Sequence, residues 1–204
     1  MSRYIKLSAG IFCLFIFGFI AIKVYMDSEM VIDNTIYNFI CKYFMGNTMT
    51  SIVKVITWFG STIGIILVCI ISLFIFRNKK INLCIVSNVL IVTVVNNLLK
   101  IAFMRARPDI NPLATETSYS FPSGHAMISV AVYGYLIYLI YYHVDNKVVR
   151  RVFITILAIL ILLIGISRIY LGVHYASDVI GGFSLSIVYL IIYCSVTKKI
   201  VKKI

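Results

Sequence analysis

Three short stretches of this 204-residue chain hold residue types that can bind and attack a phosphoryl group. Lys100 is followed by Arg107-Pro108, Phe121-Pro122-Ser123-Gly124-His125 forms a second block, and Ser167-Arg168 with His174 and Asp178 forms a third. Lys100, Arg107 and Arg168 supply cations, and the two guanidiniums have planar forks that match a tetrahedral oxyanion. No carboxylate cluster able to hold a divalent metal accompanies them, so a phosphoryl group is the guest that suits this charge. Pro122 to His125 read as a helix start, where unpaired backbone N–H groups and the helix dipole favour an anion. Gly124 there permits close backbone approach, and Ser123 adds a hydroxyl donor.

His174 and Asp178 stand four residues apart, so on a continuous helix they share a face. The carboxylate then accepts the proton of one imidazole nitrogen, fixes the tautomer and leaves the other nitrogen free to attack. His125 comes from a different segment and is placed to protonate a departing alkoxide as a general acid. For any one of these residues a structural ion pair at a helix end is the ordinary explanation. The whole set would have to converge at a membrane boundary for packing alone, where unpaired charge is costly.

The elements that must bring these blocks together are apolar helices. Hydrophobic residues make up 61% of the chain and charged ones 13%, against about 25% charged in an average soluble domain. A water-soluble globule is thereby excluded. Apolar runs recur that are long enough to cross a hydrocarbon core as helices of roughly 20 residues. They predict spans over residues 7–26, 52–76, 81–103, 126–142, 152–170 and 176–196, with the three blocks at outer ends. The expected fold class is all-α, a six-transmembrane-helix bundle, with residues 1–204 as a single integral membrane domain and no internal repeat.

The net charge of +12 would suit nucleic acid if it were spread over a soluble surface. Instead, Lys and Arg fall mostly at alternate ends of the apolar runs, as the positive-inside rule requires, which argues against a nucleic-acid partner. With the N-terminus inside, the cytoplasmic set is Arg3, Lys6, Arg77, Lys79, Lys80, Lys147, Arg150, Arg151, Lys198, Lys199, Lys202 and Lys203, twelve of the nineteen. Both termini are then cytoplasmic, and residues 104–125 and 170–176 face outward. Arg3 and Lys6 before an apolar stretch look like a signal peptide, but Lys23 and Asp27 follow without a small-x-small cleavage pattern, so a retained first span is expected.

Residues 31–44 carry Ile32, Ile36, Phe39, Ile40 and Tyr43 at near-helical spacing, with Asp33, Asn34, Asn38 and Lys42 between them. An interfacial amphipathic helix after the first span fits this pattern, an ordered loop packed on the bundle being the alternative. Arg105 falls outside the blocks, and direct phosphate contact is the less favoured of its roles; Asp109 and Glu116 are expected to pair with arginines or shape the entrance. Asn88, Asn96 and Asn97 suit interhelical hydrogen bonds, while Gly60, Gly64 and Gly181-Gly182 suit close helix packing. His143 reads as interfacial, and the five cysteines show no spacing for zinc or a disulfide framework.

Taken together, Lys100 with Arg107-Pro108, Pro122-Ser123-Gly124-His125, and Ser167-Arg168 with His174 and Asp178 resemble the three signature motifs of the type 2 phosphatidic acid phosphatase family. The resemblance runs from about Trp58 to Gly182. It implies a six-helix core shared with soluble acid phosphatases and vanadium haloperoxidases, a covalent phosphohistidine intermediate, and no metal or other cofactor. By motif position it makes His174 the nucleophile, Asp178 its orienting partner and His125 the acid that later activates water. Lys100, Arg107, Ser123, Gly124 and Arg168 would bind the phosphate.

The substrate implied is a membrane lipid phosphate, handled at the extracytoplasmic face of the cell membrane. Short bacterial members with Gly in the second motif look most like phosphatidylglycerophosphate phosphatases, whereas many dedicated undecaprenyl pyrophosphate phosphatases carry Asp there. Gly124 therefore tilts the expectation toward a glycerolipid monoester, phosphatidylglycerophosphate or phosphatidic acid. A non-catalytic lipid-phosphate binding or transport protein would need the cations but not an intact His125, His174 and Asp178. A haloperoxidase would not require so apolar a scaffold.

Overall fold

Where the apolar runs stop, the chain supplies residues that stop helices. Ser61 caps the helix over Thr62–Phe76 by accepting the Gly64 N–H at 3.2 Å, and Arg77 ends it in a left-handed conformation at φ 44°. Asn78 caps the next helix by accepting the N–H groups of Lys80 and Ile81, and Asn146 caps a later one in the same way. The structure, a computed structural model, describes residues 3–28, 30–110 and 112–202. Lys203, counted above as cytoplasmic, lies outside the described residues.

Among the described residues eight helices follow in order: α1 (Arg3–Tyr25), α2 (Val31–Phe44), α3 (Asn47–Trp58), α4 (Thr62–Phe76), α5 (Lys79–Phe103), α6 (Gly124–His143), α7 (Lys147–Tyr170) and α8 (Ala176–Lys202). The class is all-α, as expected. Helix α6 is central and packs against α5, α7 and α8, while α8 in turn carries α1. Ala126, Ala131, Tyr133 and Leu139 of α6 are buried, whereas Phe12, Phe15 and Phe19 of α1 and Ile63 and Phe74 of α4 are exposed. Large apolar side chains on the outside of a bundle suit a hydrocarbon solvent. Helices α1, α5, α6, α7 and α8 are each long and apolar enough to cross a membrane.

The continuous span expected over residues 52–76 is instead two helices. Helices α3 and α4 meet at 52° and reach the length and apolarity of a span only together. The break follows from the cap at Ser61, and it frees the Phe59 carbonyl, which accepts the Tyr133 hydroxyl at 2.6 Å. A side chain at Gly60 would stand 2.8 Å from the His125 ring, and one at Gly64 would stand 2.2 Å from the Trp58 carbonyl. Gly60 thus allows the close packing expected of it, since an added Cβ would also stand 2.7 Å from Ile164 of α7, whereas Gly64 serves the kink itself.

Buried amides join the helices in the expected way: Asn88 Nδ2 donates to the Ala131 carbonyl at 2.8 Å and Asn96 Nδ2 to the Pro122 carbonyl at 3.1 Å. Residues 31–44 are helical, with Asp33 and Ile40 buried. Spacing along α2 groups Asp33 with the polar residues Asn34, Asn38 and Lys42, yet it is buried because it meets Arg105 and Ser177. Tyr170, at the end of α7, shares a hydrogen bond with the Thr50 hydroxyl at 2.8 Å and so ties α3 to the end of the bundle where the three blocks gather.

Candidate active site

Helix direction distributes the charge of the site. Helices α5 and α7 end where α6 and α8 begin, and the three sequence blocks meet there. Carbonyl-rich C-terminal ends favour cations and hold Lys100 and Arg168; N-terminal ends favour anions, and the first turn of α8 holds Asp178. Residues 112–123 are stitched to this end by the Leu113 N–H on the Leu171 carbonyl at 2.9 Å and the Ser123 N–H on the Asp178 carbonyl at 3.2 Å.

His174 and Asp178 do not share a helical face. His174 lies in the turn before α8, and Asp178 lies in the first turn of α8. The expected contact forms nonetheless, with His174 Nδ1 at 3.3 Å from Asp178 Oδ2. Its cause is a capping interaction: Asp178 Oδ2 reaches back to accept the Tyr175 N–H at 3.0 Å, which folds the histidine turn onto the helix start. The same oxygen accepts the Ser120 hydroxyl at 2.5 Å, and Oδ1 accepts Arg105 Nη1 at 2.5 Å.

On the other side of the ring, His174 Nε2 lies 3.3 Å from Arg107 Nη1. A guanidinium can only donate, so Nε2 carries the lone pair and Nδ1 the proton that faces Asp178. Burial lowers the His174 pKa from 6.5 to about 4, with Arg107 and Arg168 adding to the shift and Asp178 opposing it. The imidazole is therefore neutral at pH 7, and its contact with Asp178 is a hydrogen bond rather than an ion pair.

The cations occupy the opposite flank. Lys100 Nζ donates to Ser118 Oγ at 3.0 Å and to the Tyr119 carbonyl. Arg107 donates from Nε to the Ser118 carbonyl at 2.7 Å and from Nη1 to the Val173 carbonyl at 2.6 Å. Burial draws Arg107 below its ordinary value, while Glu116 and Asp178 hold it up. Arg168 is gripped by Thr57 Oγ1 at 2.8 Å and by the Glu116 carboxylate, which also stands 3.8 Å from Arg107 Nη2. Glu116 thus pairs with the arginines, as expected.

Two buried donors on this flank, Arg168 Nε and Ser123 Oγ, have no hydrogen-bond partner among the described residues, and Ser123 does not cap α6 with its side chain. Unused donors beside cations at a helix start are the complement of an oxyanion. Gly124 opens α6 against Asn96, whose Oδ1 would stand 3.1 Å from an added Cβ. His125, one residue on, rests on Gly60 and lies in the field of Arg168, His174, Lys100 and Arg107. A cavity of about 720 Å³ adjoins this flank, and its lining runs from Lys100, Arg107 and Tyr119 to Asn97 and Ile101 on the side of α5. Among the described residues no three His, Cys, Asp or Glu side chains converge as a metal site.

Arg105 stands apart from the anion-facing group. Besides Asp178 it donates to Ser177 Oγ at 2.8 Å and to Asp33 Oδ2 at 3.0 Å, and its guanidinium stacks 4.0 Å over the Tyr175 ring. Sequence reasoning missed Ser120, Ser118, Thr57 and Asp33. Their partners lie in other blocks, and no local spacing marks them.

An all-helical bundle with membrane-length apolar helices and a His–Asp pair set against buried cations defines a class of integral membrane protein with a cationic site at one end of its helices. Residues 81–202 match the PAP2 superfamily, and the chain belongs to it. It is 46% identical over 94 residues to phosphatidylglycerophosphatase B of Bacillus subtilis (strain 168), a match that covers 45% of this chain and 46% of that one. It is 26% identical over 84 residues to lipid phosphate phosphatase delta of Arabidopsis thaliana, covering 40% of this chain and 20% of the relative. The chain thus spans less than half the length of the curated relatives it matches. Its fold resembles the crystal structure of a transmembrane PAP2-type phosphatidylglycerolphosphate phosphatase from Bacillus subtilis, with a TM-score of 0.84, 27% identity, and coverage of 94% of this chain and 96% of that one. The crystal structure of Aquifex aeolicus LpxE is also similar, with a TM-score of 0.64, 25% identity, and coverage of 82% and 97%.

Proposed function

We propose that this protein is a membrane lipid phosphatase that hydrolyses a glycerolipid phosphate monoester, phosphatidylglycerophosphate or phosphatidic acid, through a phosphohistidine intermediate. The observation that carries this reading is the orientation of His174. Its Nδ1 proton is held by Asp178 while the Nε2 lone pair is turned toward Arg107, at the edge of the cationic flank. A binding protein would need the cations but no nucleophile set in this way. The names of the Bacillus subtilis relatives support the glycerolipid substrate.

In the first step Nε2 attacks phosphorus, the P–O ester bond breaks, and His125 gives its proton to the departing alkoxide. Lys100, Arg107, Arg168, Ser123 and the first-turn N–H groups of α6 stabilise the charge that grows on the phosphoryl oxygens. In the second step His125 takes a proton from water, the water oxygen attacks phosphorus, and the P–N bond breaks to release inorganic phosphate. Positive charge at the site comes from side chains throughout, so turnover needs no divalent metal or other cofactor.

The same reading makes α3 and α4 one broken span, for six spans in all. It leaves residues 1–204 as one domain with cytoplasmic termini and an extracytoplasmic site. Helix α2 then lies along the outer interface with Phe39 and Tyr43 exposed to lipid, which the distribution of Lys and Arg supports. The test is phosphate release by the purified protein in detergent from phosphatidylglycerophosphate, phosphatidic acid and undecaprenyl pyrophosphate, with and without chelator. Release from the glycerolipids that persists in chelator is expected. Preference for the pyrophosphate would move the substrate to the polyprenyl class, and binding without release would favour a transport or binding role.

A further inference from the structure

Helix α2 sends a buried carboxylate to the far side of the site. Asp33 accepts Arg105 Nη2 at 3.0 Å and Ser177 Oγ at 2.8 Å through Oδ2, and the Ser177 N–H at 2.7 Å through Oδ1. Arg105 reaches from there to Asp178 Oδ1 at 2.5 Å, and the other oxygen of Asp178 meets His174 Nδ1. The row runs carboxylate, guanidinium, carboxylate, imidazole, each member hydrogen-bonded to the next. Tyr175 covers one face of the guanidinium, so Arg105 is held in place on three sides.

We propose that Asp33 is a positioning residue for the reaction at His174, acting through Arg105 to keep the charge of Asp178 available to the imidazole. The proposal rests on the phosphatase reading above. If Asp33 were neutral, Arg105 would have Asp178 as its only hydrogen-bonded counter-ion among the described residues. Asp178 would then be drawn toward the guanidinium, and the cationic ring of a phosphohistidine would gain less from it. Geometry changes in the same sense, because Asp33 also grips Ser177 in the first turn of α8, one residue before Asp178. The other groups that act on the site are Lys100 of α5, His125 of α6, Arg168 of α7, and Arg107 and Glu116 of the loop. None of them is hydrogen-bonded to Asp33, so Asp33→Asn reaches the imidazole through Arg105 and Asp178.

The experiment uses the full chain in detergent with isotope-labelled histidine, of which it has three, so that His174 can be titrated by NMR alongside turnover of an aryl phosphate. Asp33→Asn should lower the His174 midpoint by about half a unit or more and reduce kcat roughly tenfold. KM and inhibition by inorganic phosphate should hardly change, since the cationic flank is untouched. In an Arg105→Gln background the same substitution should move the midpoint much less than in the wild type, because the charge effect travels through Arg105 and only the grip on Ser177 remains. That comparison removes both buried charges and stands even where Asp33→Asn alone folds poorly. An equal shift in both backgrounds, or a fall in kcat with an unmoved midpoint, would overturn the proposal. A wild-type protein without turnover would contradict the phosphatase reading instead, and the titration would still decide the role of Asp33.

Discussion

Arg105 and Arg107 leave the same loop two residues apart, yet they enter regions that differ in how fully their polar groups are used. On the Arg105 side, both oxygens of Asp33 and both oxygens of Asp178 accept hydrogen bonds from side chains or backbone. On the Arg107 side, Arg168 Nε and Ser123 Oγ are buried with no partner among the described residues. A saturated buried network resists rearrangement and holds a geometry, whereas unpaired donors are costly until an anion arrives. In the proposed mechanism the first region sets the nucleophile, and the second receives the phosphoryl group.

The comparison can be broken most severely at His125, which belongs to neither network. His125→Ala should lower turnover of a natural lipid by roughly 10²- to 10⁴-fold, because the alkoxide then leaves without a proton. Release of the alcohol from an aryl phosphate in a single turnover should suffer much less. Next comes Arg168→Lys, which keeps the charge but loses the planar fork and the unpaired Nε. A loss of roughly 10²- to 10³-fold in kcat is expected, with weaker inhibition by inorganic phosphate, whereas Arg105→Lys should leave that inhibition unchanged.

Two serines three residues apart sharpen the contrast at smaller scale. Ser120→Ala strips a donor from a buried carboxylate and should cost about 1–3 kcal/mol of stability. Ser123→Ala removes a hydroxyl that has no partner among the described residues, so it should leave the thermal midpoint unchanged or raised while cutting activity about tenfold. The smallest effect is in the pH profile. Attack requires a neutral His174, whose pKa is lowered to about 4, so protonation removes the nucleophile only as the pH falls through that value. For an aryl phosphate, whose leaving group needs no proton, the rate of alcohol release should fall less than about twofold between neutrality and about pH 5.5, where an ordinary histidine nucleophile would lose roughly tenfold.

The receiving region was readable in the sequence and the supporting region was not. Lys100, Arg107, His125, Arg168 and His174 announce themselves because charged and imidazole groups interrupt apolar runs, and the order of their blocks carries the family resemblance. The His174–Asp178 contact was also readable from its spacing, although a capping carboxylate produces it and not a shared helical face. Asp33 and Arg105 are 72 residues apart, and Asp33 and Ser177 are 144 apart, so periodicity along either segment says nothing of their meeting. The break between α3 and α4 did leave a signal, since Gly60-Ser61-Thr62 reads as a helix cap. The apolar run on both sides outweighs that cap in any hydropathy window, which is why one span was expected there.

The most direct test asks whether His174 itself carries the phosphoryl group. Purified protein mixed with an aryl phosphate in chelator, and quenched under alkaline conditions that preserve phosphohistidine, would be digested and its peptides weighed. The account predicts one added phosphoryl group on the peptide holding His174, formed at the rate of alcohol release and absent from His174→Ala. A phosphoryl group on the His125 peptide, or rapid alcohol release that persists in His174→Ala, would contradict it.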